Sequence, residues 1–401
     1  MKNRIVIITP FYPIKHRKDL FEDTKAVHYL LKEFADDNDI LVVHSFMHGF
    51  KSAWKQLKRV VPIKLKYKDY LYIDDYGNNV LFFENLLLFP KSIKTLSYFS
   101  KKHARLLKQF CTNEQYHPEI GVVHFPTYYV DFIRKFDAFP KSIAIIHSFD
   151  IKNIKSRASI NYWKRHFDKF DAIGYRSFVI KKEFEELMGI YEKSFMCLSG
   201  IPDNFISIRL TQTSYNITDK INLIYAGRLD KNKNVAKSIL ALNRIDKKIQ
   251  YSFNIVGDGE EKKHIEELAQ NIGVADRIIF HGKVSREKTF HLMESADIFL
   301  MVSKKETLGL VYLEAMAAGC IIIGTRGQGI DGIVVDGENG FLTDSNNEEA
   351  IYKTLYRVMT LSPTEQKRIR DNAKETVRLL SDVSLSKEYY SNICSVIQED
   401  K

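Results

Sequence analysis

Apolar residues along the chain fall into two alternating patterns: short continuous runs rich in β-branched residues, and longer stretches where apolar positions recur every three or four residues. Arg4–Thr9 is such a run and reads as a buried parallel strand; Leu20–Phe34, which follows, has helical spacing. Asp39–His44 resumes as strand, and further runs lie at Ile120–His124, Ser142–His147, Ala172–Tyr175 and Phe195–Leu198. A polar stretch, Thr211–Lys220, has the composition of a linker. Beyond it the alternation is cleaner. Strands are predicted at Ile221–Ala226, Ser252–Val256, Arg277–Phe280, Ile298–Val302 and Cys320–Gly324, and helices at Val235–Asn243, Glu260–Asn271, Arg286–Ser295 and Leu310–Ala318. This βα order predicts an α/β chain of two domains, 1–210 and 211–380, each a parallel sheet with helices on both faces, then a final helix within 381–401. A length of 401 residues suits two cores better than one.

Composition narrows the classes. Hydrophobic residues at 45% and charged residues at 27% are those of an ordinary globular protein. The apolar run near the start, Ile5–Thr9, is too short for a membrane span, and the longest elsewhere, Val80–Pro90, is interrupted by Glu84. Cys111, Cys197, Cys320 and Cys394 lack the C-x-x-C spacing of a zinc or redox site, so reduced thiols in a cytosol, and no structural metal, are the simplest expectation. The net charge of +10 is unevenly placed: residues 1–210 hold 34 Lys and Arg against 23 Asp and Glu, and residues 211–401 hold 26 against 27. Such asymmetry suits nucleic acid, an anionic membrane surface or an anionic substrate, and charge alone does not choose. No helix-turn-helix, RNP or zinc signature supports nucleic acid. Two basic segments without acids, Lys51–Lys68 and Lys91–Lys108, favour peripheral attachment to the inner face of a cell membrane.

In open α/β sheets, ligands sit beyond the carboxyl ends of the strands, so the informative residues are those just after strands. After Val302 the chain reads Ser303-Lys-Lys-Glu306-Thr-Leu-Gly309-Leu310-Val-Tyr-Leu-Glu314-Ala-Met-Ala-Ala-Gly319. Two carboxylates flank a glycine turn and a helix start; by themselves they read as a solvated loop glutamate and an amphipathic-helix glutamate. After Ala226 comes Gly227-Arg228-Leu-Asp-Lys-Asn-Lys233, two cations on a loop before a helix, suited to an anionic group. Ile255-Val-Gly257-Asp-Gly259 lacks the third glycine of a dinucleotide fingerprint, since residue 262 is Lys, which disfavours an NAD site. In the N-terminal half, Ile143-Ala-Ile-Ile-His147-Ser-Phe-Asp150 ends a strand in histidine, with a helix or turn cap as the plain reading of Asp150.

Together these segments resemble glycosyltransferase family four: Glu306 and Glu314 match its E-x7-E signature, Ala315–Gly319 its E-A-M-A-x-G, and Tyr225–Lys233 its strand–G-R-L–K segment. The resemblance implies the GT-B fold, with two Rossmann-like domains facing across a cleft, an N-terminal acceptor domain, a C-terminal donor domain and a last helix crossing back. It implies a retaining, metal-independent transfer from a nucleotide-diphosphate sugar, a UDP- or GDP-sugar, to a lipid-linked or surface-polysaccharide acceptor, with no other cofactor. Arg228 and Lys233 would grip the diphosphate, Glu306 the donor sugar, Glu314 the ribose and His147 the transferred sugar, with Gly309, Leu310, Gly257, Lys283 and Val284 around the nucleotide. Two departures stand out. Phe11–Asp23 has no Gly-Gly loop, and Thr307-Leu308 replaces the usual Gly-Phe. A sugar-nucleotide epimerase of the same fold and a nucleic-acid-binding protein are the alternatives.

Overall fold

The computed structural model describes residues 2–13, 26–33, 38–48, 71–86, 93–130, 132, 139–207 and 220–398. Two compact units divide the chain: Met1–Arg176 with Ile180–Cys197 and Leu385–Lys401, and Ser177–Val179 with Leu198–Ser384. The division falls earlier than residue 210, and the polar stretch 211–219 lies outside the described residues. The cause is local. Ile201 donates its N–H to Leu380 O (3.2 Å) and accepts from Asp382 N (2.8 Å), fastening the segment after Cys197 to the second unit.

The first unit is built on a sheet ordered β3-β4-β2-β1-β5-β6-β7-β8. Its strands are β1 (Arg4–Thr9), β2 (Asp39–His48), β3 (Leu71–Ile73), β4 (Asn79–Leu86), β5 (Ile120–His124), β6 (Lys141–Ile146), β7 (Ala172–Tyr175) and β8 (Ser194–Met196), all parallel except β3 against β4. β1 shows why the central strands are uniformly apolar: Val6 and Ile8 belong to one core cluster and Ile5 and Ile7 to the other. Helices α1 (Ala26–Leu30), α2 (Ile93–Asn113), α3 (Ser148–Arg157), α4 (Ile160–Phe167) and α5 (Phe178–Met188) connect the strands. The expected Leu20–Phe34 helix is described only from Ala26, because 14–25 and 34–37 lie outside the described residues. The apolar run from Val80 is the edge-protected strand β4, and among the described residues no helix is long and apolar enough to cross a membrane.

The second unit carries a parallel sheet ordered β11-β10-β9-β12-β13-β14, from β9 (Lys220–Ala226), β10 (Gln250–Val256), β11 (Ile278–Gly282), β12 (Ile298–Leu300), β13 (Ile321–Thr325) and β14 (Phe341–Thr343). Its helices are α6 (Asp203–Ser207), α7 (Val235–Asn243), α8 (Lys262–Asn271), α9 (Arg286–Glu294), α10 (Leu310–Ala318), α11 (Glu348–Met359) and α12 (Pro363–Arg378). The last helix, α13 (Asp382–Gln398), places Tyr389, Ile393 and Val396 in a core cluster of the first unit with Ile5 and Val42. Strand order reverses at one point in each sheet: between β1 and β5 in the first unit, and between β9 and β12 in the second.

Candidate functional site

At the β9/β12 reversal the two strand ends bring Lys233 and Glu306 together. Nζ lies 2.5 Å from Oε2, with the side chains 19% and 17% exposed. The carboxylate of Asp230 shapes the first loop: Oδ1 accepts from the backbone N–H of Asn232 (3.0 Å) and Lys233 (3.1 Å), and Oδ2 accepts from Arg228 Nε (2.8 Å). Asn232 ties the two loops, donating Nδ2 to Lys305 O (2.8 Å) and accepting from Lys304 N (2.8 Å). The Glu306 backbone is then held by a third loop, after β13: its N–H donates to Gln328 Oε1 (3.0 Å) and its carbonyl accepts from Gly329 N (3.0 Å). A glycine-rich tail in the sequence signals a turn there; that Gln328 anchors Glu306 is visible only in the fold.

Two buried tyrosines underlie this pair. Tyr225 Oη donates to Arg228 O (2.8 Å) and Tyr312 Oη to Met301 O (2.6 Å). Burial raises both phenol pKa values, and the negative charge of Glu306 adds to the effect, so both stay protonated and donate. Arg228 differs from Lys233: its side chain is 75% exposed, with the guanidinium held by Asp230. Gly309 adopts φ +78° at the start of α10, where a Cβ would fall 2.7 Å from the Tyr312 ring. With no side chain capping that end, the first amides of α10, beginning at Leu310, form a site that favours negative charge.

Gly257 joins the neighbouring loops. It has φ +135°, and a Cβ there would lie 1.8 Å from Gly227 O, so only glycine permits this approach. Gly227 N donates to Val256 O (2.9 Å) and Gly257 N to Gly282 O (2.8 Å), stitching the ends of β9, β10 and β11 into one rim. Lys283, exposed, and Val284, half-buried, follow on that rim.

Glu314 faces a partner that no motif announced. Arg286, the first residue of α9, directs Nε (2.8 Å) and Nη2 (2.6 Å) at Oε1 of Glu314, and its guanidinium lies 5.1 Å from the Phe205 ring centre. Burial raises the Glu314 pKa, and Arg286 opposes that rise. Glu314 and Glu306 are thus held by different cations, Arg286 and Lys233.

In the first unit, His147 follows β6 and precedes α3. Its Nε2 lies 3.2 Å from Nδ1 of His124, at the end of β5, and His124 Nε2 lies 2.9 Å from Tyr389 Oη. Phe125 stacks on His147 at 3.5 Å. Burial drives both imidazole pKa values well below the ordinary range; the His124 ring adds to the effect on His147, and Arg176 to the effect on both. Asp150 accepts from His147 N (2.8 Å), Thr127 N (3.0 Å) and Thr127 Oγ1 (2.5 Å), which is a capping role; burial still lifts its pKa to about 7. Among the described residues no three His, Cys, Asp or Glu gather as a metal-binding group.

The loops that gather Arg228, Lys233, Glu306 and Glu314 fall within a stretch, residues 209–376, that matches the family described as glycosyl transferases, group 1. Residues 209–376 belong to the group 1 glycosyl transferases. The N-acetyl-alpha-D-glucosaminyl L-malate synthase of Bacillus anthracis is 27% identical over 270 residues, 65% of this chain and 69% of that protein. A Campylobacter jejuni enzyme named for adding α-1,4-N-acetyl-D-galactosamine to a diphosphate-undecaprenol glycan is 29% identical over 182 residues, 44% of this chain and 49% of its own. The fold is GT-B, a likeness that reaches beyond the matched stretch: the crystal structure of Anabaena HepE in complex with UDP and glucose superposes with a TM-score of 0.65 at 17% identity, over 98% of this chain and 100% of that one.

Proposed function

We propose that this group 1 glycosyltransferase moves a sugar from a UDP- or GDP-sugar to a glycan or lipid-linked acceptor, with retention of anomeric configuration and without a metal ion. The observation that carries the reading is the Lys233–Glu306 pair at the strand-order reversal of the second unit. There a diphosphate finds two cations, Arg228 and Lys233, and the open amides of α10, which together supply the charge neutralisation a metal gives elsewhere. Glu306, held through its backbone by Gln328 and Gly329, accepts hydroxyls of the donor sugar. Glu314 keeps Oε2 for the ribose while Arg286 occupies Oε1. His147 contacts the sugar being transferred. The bond from C1 to the diphosphate oxygen breaks as the acceptor oxygen bonds C1 on the same face, and a leaving phosphate oxygen takes the acceptor's proton. Gly257, Gly309, Leu310, Lys283 and Val284 border the nucleotide. The basic face of α2 places the enzyme on the inner surface of a cell membrane, beside a lipid-linked acceptor.

Support comes from the family of residues 209–376 and from the names of the relatives, one acting on an undecaprenol-linked glycan. The test is a panel of UDP- and GDP-sugars with purified protein, read as release of nucleoside diphosphate. One or more donors should be hydrolysed, at a rate unchanged by excess EDTA and lowered roughly 100-fold in Lys233→Ala. Hydrolysis of none, or a rate lost in EDTA and restored by Mg²⁺ or Mn²⁺, overturns the reading in whole or in its metal-free part.

A further inference from the structure

The first unit holds a chain of three buried groups, Tyr389–His124–His147, of which the reaction assigned above uses only the last. Tyr389 is carried by α13 and is 1% exposed; His124 is 0% exposed and His147 7%. The contacts run Tyr389 Oη to His124 Nε2 at 2.9 Å and His124 Nδ1 to His147 Nε2 at 3.2 Å. Both rings are deprived of water, and the Arg176 guanidinium, bound to Cys197 O at 2.7 Å, stands near enough to repel a second positive charge.

A neutral imidazole carries one N–H and one lone pair, so each contact in the chain has one donor and one acceptor, and only two proton orders satisfy both contacts. In one, the phenol donates to His124 Nε2, His124 Nδ1–H donates to His147 Nε2, and His147 carries its proton on Nδ1. In the other, every bond is reversed: the phenol oxygen accepts, and His147 presents a bare Nδ1. A phenol is a strong donor and a weak acceptor, while an imidazole nitrogen is a strong acceptor. The first order therefore makes the better bonds at both junctions.

We propose that Tyr389, acting through His124, is a positioning residue that fixes His147 in the tautomer with its proton on Nδ1. The role assumes the sugar-contacting part assigned to His147 above, but the proton order itself does not depend on it. An N–H in place of a lone pair on Nδ1 decides whether His147 can donate to a sugar oxygen, so the far end of the chain sets the chemistry of the near one.

The test uses full-length protein labelled with ¹⁵N-histidine and long-range ¹⁵N–¹H correlation at neutral pH, with His147 assigned from the signals lost in His147→Gln. Wild-type protein should show His147 protonated on Nδ1 alone. In Tyr389→Phe, which removes one hydroxyl, the two ring nitrogens should move toward averaged values. Turnover should fall about tenfold with donor KM changed less than twofold, a split that a general loss of packing would not give. His124→Gln, which cuts the chain in the middle, should give the same spectral change if the tyrosine variant folds poorly. A wild-type His147 protonated on Nε2, or identical His147 signals in wild type and both variants, overturns the proposal. Wild-type protein inactive on every donor but showing the predicted spectra keeps the proton order and counts against the assigned reaction alone.

Discussion

The loop clusters of the two units occupy comparable positions, at carboxyl ends of strands, and treat charge in opposite ways. In the second unit Lys233 and Glu306 form an ion pair at 2.5 Å, partly open to solvent. In the first, His124 and His147 have shed charge and sit among buried aromatic groups. A half-open ion pair can be separated by an arriving dianion, because the ligand replaces one partner while water still reaches both. A sealed neutral chain cannot exchange partners in that way; what it offers is a fixed orientation. One cluster is built to receive charge and the other to present a ring.

That difference should be felt most strongly in stability against acid. His44 and His103, buried in the first unit, have pKa values lowered to about 3 by burial, and those of His124 and His147 are well below 6.5. The histidines of the second unit, His264, His281 and His291, are not buried. The unfolded chain takes up protons near pH 6.5 that the folded first unit refuses, so its stability is full above about pH 7 and is lost as pH falls. The loss is about 2 kcal/mol per buried histidine at pH 5. Asp150 works the other way. Its carboxyl, raised to about 7, contributes stability that is present at low pH and lost as pH rises through about 7, which offsets part of the loss. Trp163 is fully buried in the first unit, and Trp54 lies in the same unit's sequence, so tryptophan fluorescence reads that unit. Its urea midpoint should drop sharply between pH 7.5 and 5. An unchanged midpoint would remove the contrast.

Breaking the charged cluster comes next in size. Arg228→Ala, Lys233→Ala and Glu306→Ala should each lower turnover roughly 100-fold, about 3 kcal/mol of transition-state stabilisation. The urea midpoint of Arg228→Ala should stay near wild type, since that side chain is mostly exposed. Wild-type kinetics in both Arg228→Ala and Glu306→Ala would leave the proposed donor site without a basis.

How legible each cluster was in the sequence follows from the same contrast. Strand–loop–helix punctuation in the second unit is regular: helices Val235–Asn243 and Leu310–Ala318 form over the residues their spacing predicted, and the loops between carry the charged motif. What stayed hidden is each partner supplied from a distance, such as Gln328 under Glu306 and Arg286 against Glu314, because no spacing rule links residues that only sheet order brings together. In the first unit no spacing announces the antiparallel β3–β4 edge or the helices after His147, and His124 stands out only as the end of a strand run. A histidine ending a continuous apolar strand gives no sign of what it faces, and Tyr389, more than 260 residues further on, gives none either.

The buried carboxylate is the intermediate case between the two strategies. Glu314→Ala should raise donor KM about tenfold with turnover within twofold, the mark of binding lost equally from ground and transition states. Arg286→Met should do the same in a pH-dependent way. Without the guanidinium nothing opposes the rise that burial gives the Glu314 carboxyl, so the protonated form spreads upward in pH and donor affinity should recover as pH rises. A KM for Arg286→Met that is flat in pH would show that the arginine acts by packing on Phe205 and not through the carboxylate.

The smallest effects belong to the outer face of the first unit, where basic side chains are exposed along a helix. α2 runs from Ile93 to Asn113 without an acidic residue. Lys101, Lys102, Arg105 and Lys108 are exposed, and Tyr98 is 67% exposed beside them, while Leu96, Ala104, Leu107 and Phe110 fill the core. The companion basic segment Lys51–Lys68, and Lys91, lie outside the described residues. A helix that merely covers a sheet needs the apolar face but not the absence of acids opposite it. An anionic leaflet would account for that absence, at about 1 kcal/mol per basic residue near the surface. Neutralising single residues, Lys101→Gln, Lys102→Gln or Arg105→Gln, should therefore weaken co-sedimentation with liposomes containing anionic lipid about fivefold each. Binding should require the anionic lipid and fade as salt rises, because separated surface charges are screened within about 8 Å at physiological ionic strength. Equal partitioning onto neutral and anionic liposomes, or single variants that bind as wild type, would make this face an ordinary solvated one and confine the functional use of charge to the donor loops of the second unit.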